Sequence, residues 1–204
     1  MSFSGTVRLP IPYLYQKQAV VFNTFAQTLR DNLTRSFNGD EEQNRKDLHE
    51  VYSVFTYRAT CVALLGASLE CALNYRLSTD DVWDSKFERQ SNRAKLEYLL
   101  ANYTPLPIKP EVVREHFFTI MDARHEIMHP KSKVLEFSAT SSQLTALSVL
   151  TEKFHLFFDW VDQWDYQLLD DLATKAKGLL PTLSGITPST AFYYRFDPYW
   201  PGSE

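Results

Sequence analysis

The stretch CVALLGASLECAL, Cys61–Leu73, decides the fold. Its side chains are apolar almost all round a helical wheel, with Ser68 and Glu70 as the main polar breaks. A helix that is apolar on every side has to be enclosed by other elements. It is too short to cross a bilayer, and Glu70 would sit inside such a span. Upstream, Val51, Val54 and Phe55 continue the apolar spacing, so the pattern predicts one central helix from about Lys46 to Leu77.

Working outward, the remaining segments read as helices that can enclose it. Val20, Val21, Phe25, Leu29 and Leu33 recur with a helical period and predict a helix from Tyr15 to about Phe37. The polar segment Asn38–Asn44, with Gly39 inside it, reads as a connection. A less regular helix is expected over Asp84–Asn102, followed by the proline-rich, extended Thr104–Pro110. The next helix starts at Pro110 or Glu111 and is ended by Pro130, which disfavours helical geometry at His129. Lys131–Ser142 reads as a polar connection, with Val134–Phe137 either a short strand or a cover over the core. The longest helix is expected over Gln143–Leu179, and after Pro181 the chain turns into an aromatic tail. The fold expected is all-α: an up-and-down bundle of four long helices plus a short accessory helix, with an extended C-terminal tail. The 204 residues form one domain in this reading, with a core at about 15–179 and the tail at 180–204. Leu9–Tyr15 and the tail are too apolar to stay free in solution, and are expected to pack across the bundle or, alternatively, to cover a partner surface.

Composition narrows the function classes. A 44% hydrophobic content supports a packed core, and a net charge of −4 gives no overall basic signature for nucleic acid. Any such contact has to come from a local patch or from a pairing of subunits. Cys61 and Cys71, ten residues apart on one expected helix, cannot form a disulfide. Free thiols and the lack of a signal-peptide pattern at Met1–Gly5 lead to the expectation of a cytoplasmic, non-membrane protein. The sequence has no glycine-rich phosphate loop, no Cys/His metal cluster and no G-x-S-x-G elbow, and no cofactor is expected.

The chemistry concentrates in Arg124-His125-Glu126-Ile127-Met128-His129. As H-E-x-x-H, the segment matches the zinc metalloprotease pattern. Against that reading, Pro130 and Lys131 follow at once, and Arg124 beside the first histidine would repel a dication. A third ligand could come from Glu136, His155 or Asp159, but none lies in a recognisable extension of the motif. As R-x4-H, the same residues set a permanent cation and a titratable imidazole near a helix end. Arg124 falls inside the apolar face set by Phe117, Met121 and Met128, so it has to meet a carboxylate or line a polar cleft. Arg58 also falls on the apolar side of its helix, and Glu115 or Asp122 is its expected partner. Glu70 and Asn74 share the less apolar side of that helix, as supports for the site or as solvated groups.

With Arg124, His125 and His129 in these positions, the chain resembles the HEPN family (higher eukaryotes and prokaryotes nucleotide-binding domains). Leu65-x-x-Ser68-Leu69-Glu70-x-x-Leu73-Asn74 is similar to that family's long second helix, and Lys95-Leu96-x-x-Leu99 to a segment often found between the two. The resemblance implies a metal-independent endoribonuclease or an RNA-binding protein of a toxin or defence system, acting as a homodimer. It further implies Arg124 as the phosphate ligand, His129 as the proton-transfer group and His125 in support. Lys131 and Lys133 would extend the positive rim. An imidazole titrating near neutrality can take a proton from a 2′-hydroxyl, and a guanidinium fork suits phosphate oxygens. The resemblance also implies an antitoxin or other protein partner, but Lys131 stands where many toxin members carry a tyrosine modified by a partner nucleotidyltransferase, so regulation by that modification is not expected. The rival from another class is a non-catalytic helical interaction protein in which Arg124 is an internal anchor.

Overall fold

The computed structural model describes residues 11–33, 41–79, 83–128, 159 and 161–185. Six helices lie within them: α1 (Ile11–Asn32), α2 (Glu41–Leu77), α3 (Ser85–Glu88), α4 (Asn92–Asn102), α5 (Pro110–Met128) and α6 (Tyr166–Ser184). Among the described residues there is no strand, and the protein is all-α. No helix among them is long and apolar enough to cross a membrane.

The apolar stretch that predicted a central helix lies at the centre of α2. Cys61, Val62, Leu65, Leu69, Ala72 and Leu73 are all fully buried, and α1, α4, α5 and α6 all pack against α2. Side-chain bonds fix the relative directions. Gln16 Nε2 donates to Ala173 O at 3.4 Å and Asn23 Nδ2 to Tyr166 O at 3.1 Å, so α1 and α6 run antiparallel. Arg58 meets Val161 just before α6, and Arg76 lies at Gly185 just after it, so α2 and α6 run in the same direction. Arg114 pairs with Glu97 and Arg93 lies over the Phe118 ring, which makes α4 and α5 antiparallel.

Several boundaries differ from the sequence reading, each for a local reason. The first helix begins at Ile11 rather than Tyr15, because Pro12 and Tyr13 are buried and belong to the core. Glu41–Asn44, expected in a connection, are the first residues of α2, which at 37 residues is the longest described helix. The helix expected over Asp84–Asn102 is two. Asp84 caps α3 by accepting from Lys86 N and Phe87 N, and Ser91 restarts the chain as the cap of α4. The long last helix is also interrupted, at 163–165, where Asp165 accepts from Leu168 N and caps α6. At its far end α6 continues through Pro181 to Ser184, with Leu183 buried. Gly185, at φ 68°, then closes it by donating to Pro181 O. The segments 129–158 and 186–204, including Val134–Phe137 and the aromatic tail, lie outside the described residues.

Candidate functional site

On α5 the buried residues are Val113, Phe117, Ile120 and Ile127. Their stripe leaves one helical position open, and Arg124 occupies it. The face is therefore turned from the one expected: Ile127 is buried, while Met128 is 48% exposed. Arg124 belongs to the inward side of the helix, as its place in the sequence implies, yet its side chain keeps 35% of its surface in solvent.

Two residues of α2 explain how an arginine is accommodated there. Gly66 is buried, and a Cβ at that position would collide with Arg124 Cδ. The absence of a side chain lets the arginine stem lie across the α2 backbone. One turn on, Glu70 Oε1 accepts from Arg124 Nη1 at 2.7 Å. The same oxygen accepts from Asn92 Nδ2 of α4 at 2.5 Å. A single carboxylate, 28% exposed, thus ties the guanidinium of α5 to the amide of α4. The next turn of α2 repeats the pattern with other groups. Asn74 Oδ1 accepts from the buried Lys95 Nζ at 2.9 Å, and Trp83 places its ring 5.2 Å from that ammonium. Together Glu70, Asn74, Asn92, Lys95 and Arg124 make a polar strip along the junction of α2, α4 and α5.

Of the other residues singled out by the sequence, His125 lies exposed on the last turn of α5. His129, Lys131 and Lys133 lie outside the described residues, as do Glu136 and His155, named above as zinc ligands. Among the described residues, no group of three or more His, Cys, Asp or Glu side chains is placed to hold a metal ion.

A second polar cluster lies at the α1, α2 and α6 junction, around an open cleft of about 500 Å³ lined by Gln27, Arg30, Asp31, Arg58, Asp162 and Asp165. Arg58, expected to meet Glu115 or Asp122, instead donates through Nη1 to Val161 O at 2.6 Å and approaches Asp162 Oδ1 at 3.4 Å. Arg30 binds both oxygens of Asp162 at 2.8 Å, which raises its own pKa through that hydrogen bond. Burial pushes the Arg58 guanidinium the other way, below the ordinary arginine value, with Asp162 opposing the shift. Nothing short-range in the sequence marks Asp162, which reaches Arg58 only because α6 and its preceding turn return alongside α2. Both cysteines are free thiols, and burial pushes Cys61 up to about 12.

Compared with protein-family models, with curated proteins and with solved structures, the chain has no significant match in any of the three.

Proposed function

We propose that this chain is an HEPN-like up-and-down helical bundle that binds RNA through Arg124 and cleaves it without a metal. In this reading Arg124 binds a phosphate, His129 transfers the proton and His125 supports it, with Lys131 and Lys133 along the rim. The observation that carries the reading is the seat of Arg124. A guanidinium on a core stripe has to meet a carboxylate or reach solvent, and this one does both: Gly66 and Glu70 hold it in place while 35% of its side chain stays exposed. An arginine both fixed and open to solvent suits phosphate recognition. Two copies facing each other across a dimer would bring two arginines and two histidine pairs to one cleft. That would answer the net charge of −4 by local concentration of cations. Attack by a 2′-hydroxyl would form a 2′,3′-cyclic phosphate as the bond from phosphorus to the 5′-oxygen breaks, with the histidine taking the 2′ proton or giving one to the leaving 5′-oxygen. The cytoplasm, and a toxin or defence setting with a protein antitoxin, belong to the same proposal.

The test is cleavage of a labelled total-RNA pool in excess EDTA by wild type, Arg124→Ala and His129→Ala. Cutting by wild type and by neither variant is the expected result. An inert wild type, shown to be folded and dimeric, would sink the catalytic reading. Loss of cutting in EDTA, restored by zinc, would favour the H-E-x-x-H alternative.

One observation favours a second reading, the non-catalytic interaction protein. Glu70 already supplies Arg124 with an internal counter-charge, as an anchor between helices would require. That reading expects Arg124→Ala to lower stability and leave RNA affinity where it was.

A further inference from the structure

We infer that Glu70 is an exchangeable internal anion for Arg124: it positions the guanidinium while RNA is absent and gives way to a phosphate when RNA arrives. The inference rests on the proposed RNA site at Arg124. Three observations lead to it. The pair is close, at 2.7 Å, but 35% and 28% of the two side chains remain in solvent, so a second anion can reach the guanidinium without unfolding any helix. Ion pairs with this exposure are individually weak, which makes exchange for a phosphate energetically accessible. Finally, the Glu70 oxygen that holds Arg124 also accepts from Asn92 Nδ2. When Arg124 turns to a phosphate, Glu70 keeps the α4 amide and is not left bare.

This arrangement separates Glu70 from an ordinary structural anchor by the sign of its effect. A negative charge beside the guanidinium opposes the approach of RNA. Removing that charge should therefore strengthen binding, even though a native ion pair is lost. Taking one unit charge away at several ångströms from a phosphate in a high-dielectric setting changes affinity by roughly three- to tenfold, falling as salt rises. A residue that merely stabilised the fold could weaken binding when replaced, but would not tighten it.

The experiment measures fluorescence anisotropy of a short fluorescein-labelled single-stranded RNA against wild type, Glu70→Gln, Glu70→Ala and Arg124→Ala at low salt. Circular dichroism melting of each protein runs alongside. Glu70→Gln keeps the shape and the acceptor oxygen. Glu70→Ala serves the same purpose on a partly exposed surface should the amide disturb the local bonds. Arg124→Ala should bind more weakly than wild type, and both Glu70 variants more tightly by roughly three- to tenfold. If Arg124→Ala binds weakly but folded Glu70 variants bind no tighter than wild type, the exchange inference is overturned and the RNA site stands. If Arg124→Ala binds as well as wild type, the RNA site itself falls, and the inference with it.

Discussion

Replacing Asp162 by alanine should cost the protein more stability than replacing the arginine it neutralises. Arg58 is 2% exposed, and its Nε has no hydrogen-bond partner among the described residues. Its compensation comes from the Val161 carbonyl at 2.6 Å and the Asp162 carboxylate at 3.4 Å. Without Asp162 the buried cation retains the carbonyl, is repelled by Arg30, and has Asp165 as its remaining attractive charge. Removing one partner of a buried pair typically costs about 3–5 kcal/mol. The Asp162 side chain is itself 22% exposed and lines an open cleft, so water takes up part of the loss. The expected cost is about 2–3 kcal/mol after that discount. Arg58→Met removes the desolvated charge together with its bonds and fills much of the same volume, while Asp162 keeps its two bonds to Arg30. What it removes is one of two bonds to the Val161 carbonyl, which keeps Trp164 N as a donor at 3.1 Å, at a cost of about 1 kcal/mol. In a chain of this size each kcal/mol moves the melting temperature by about 2–4 °C. Asp162→Ala should therefore lower Tm by about 4–12 °C and Arg58→Met by about 2–4 °C. Equilibrium urea unfolding of both single variants and of the double variant gives the free energies, and the double should lose less than the sum of the singles. An Asp162→Ala protein within about 0.5 kcal/mol of wild type, or an Arg58→Met protein less stable than Asp162→Ala, would refute the reasoning.

Other outcomes follow from single positions. Gly178 lies exposed within α6 with nothing within 4 Å of an added Cβ, so Gly178→Ala should stabilise by about 0.5–1 kcal/mol in urea unfolding; a loss of stability would contradict that free space. Gly185→Ala should do the opposite and destabilise by about 1–2 kcal/mol, because the residue has φ 68° and its new Cβ would displace the Arg76 guanidinium; thermal melting decides. Burial holds Cys61 protonated up to about 12 against an ordinary value of 9.0. The stability this contributes is fully present below the unfolded value and is lost as pH rises from there towards the folded one. Cys61→Ser should therefore flatten the fall of stability across that alkaline window, as measured by urea unfolding at a series of pH values. An unchanged slope would show that the thiol is not the group responsible. A thiol reagent at neutral pH should label the half-buried Cys71 before Cys61, and equal rates would count against the burial of Cys61.

Periodicity made the helices legible, and capping chemistry set their limits. The buried middle of α2 follows directly from Cys61–Leu73, because an all-round apolar helix has only one way to escape water. The breaks at Arg89–Ser91 and at 163–165 were harder to read, since the apolar spacing runs on across them. Ser91 and Asp165 are cap residues in plain view, but a serine or aspartate inside a helical pattern is also an ordinary exposed side chain. The turn of the α5 face towards Ile127 rather than Met128 could not be read from the wheel, where both are apolar.

By itself the sequence determined the all-α class, the central place of α2, and the placing of Arg124 on the inward side of its helix. Each of these depends on short-range spacing along one helix, where 3.6 residues per turn fix which side chains share a face. Tertiary structure alone decided what those side chains meet. Arg124 finds Glu70 and Gly66, 54 and 58 positions away, and Arg58 finds Asp162 across 104. Glu70 was visible in the sequence as a polar residue on the less apolar side of α2, and Asp162 as one aspartate among many near the chain's end. Electrostatic pairing depends on distance through space, and only the packing of α4, α5 and α6 around α2 turns those separations into contacts.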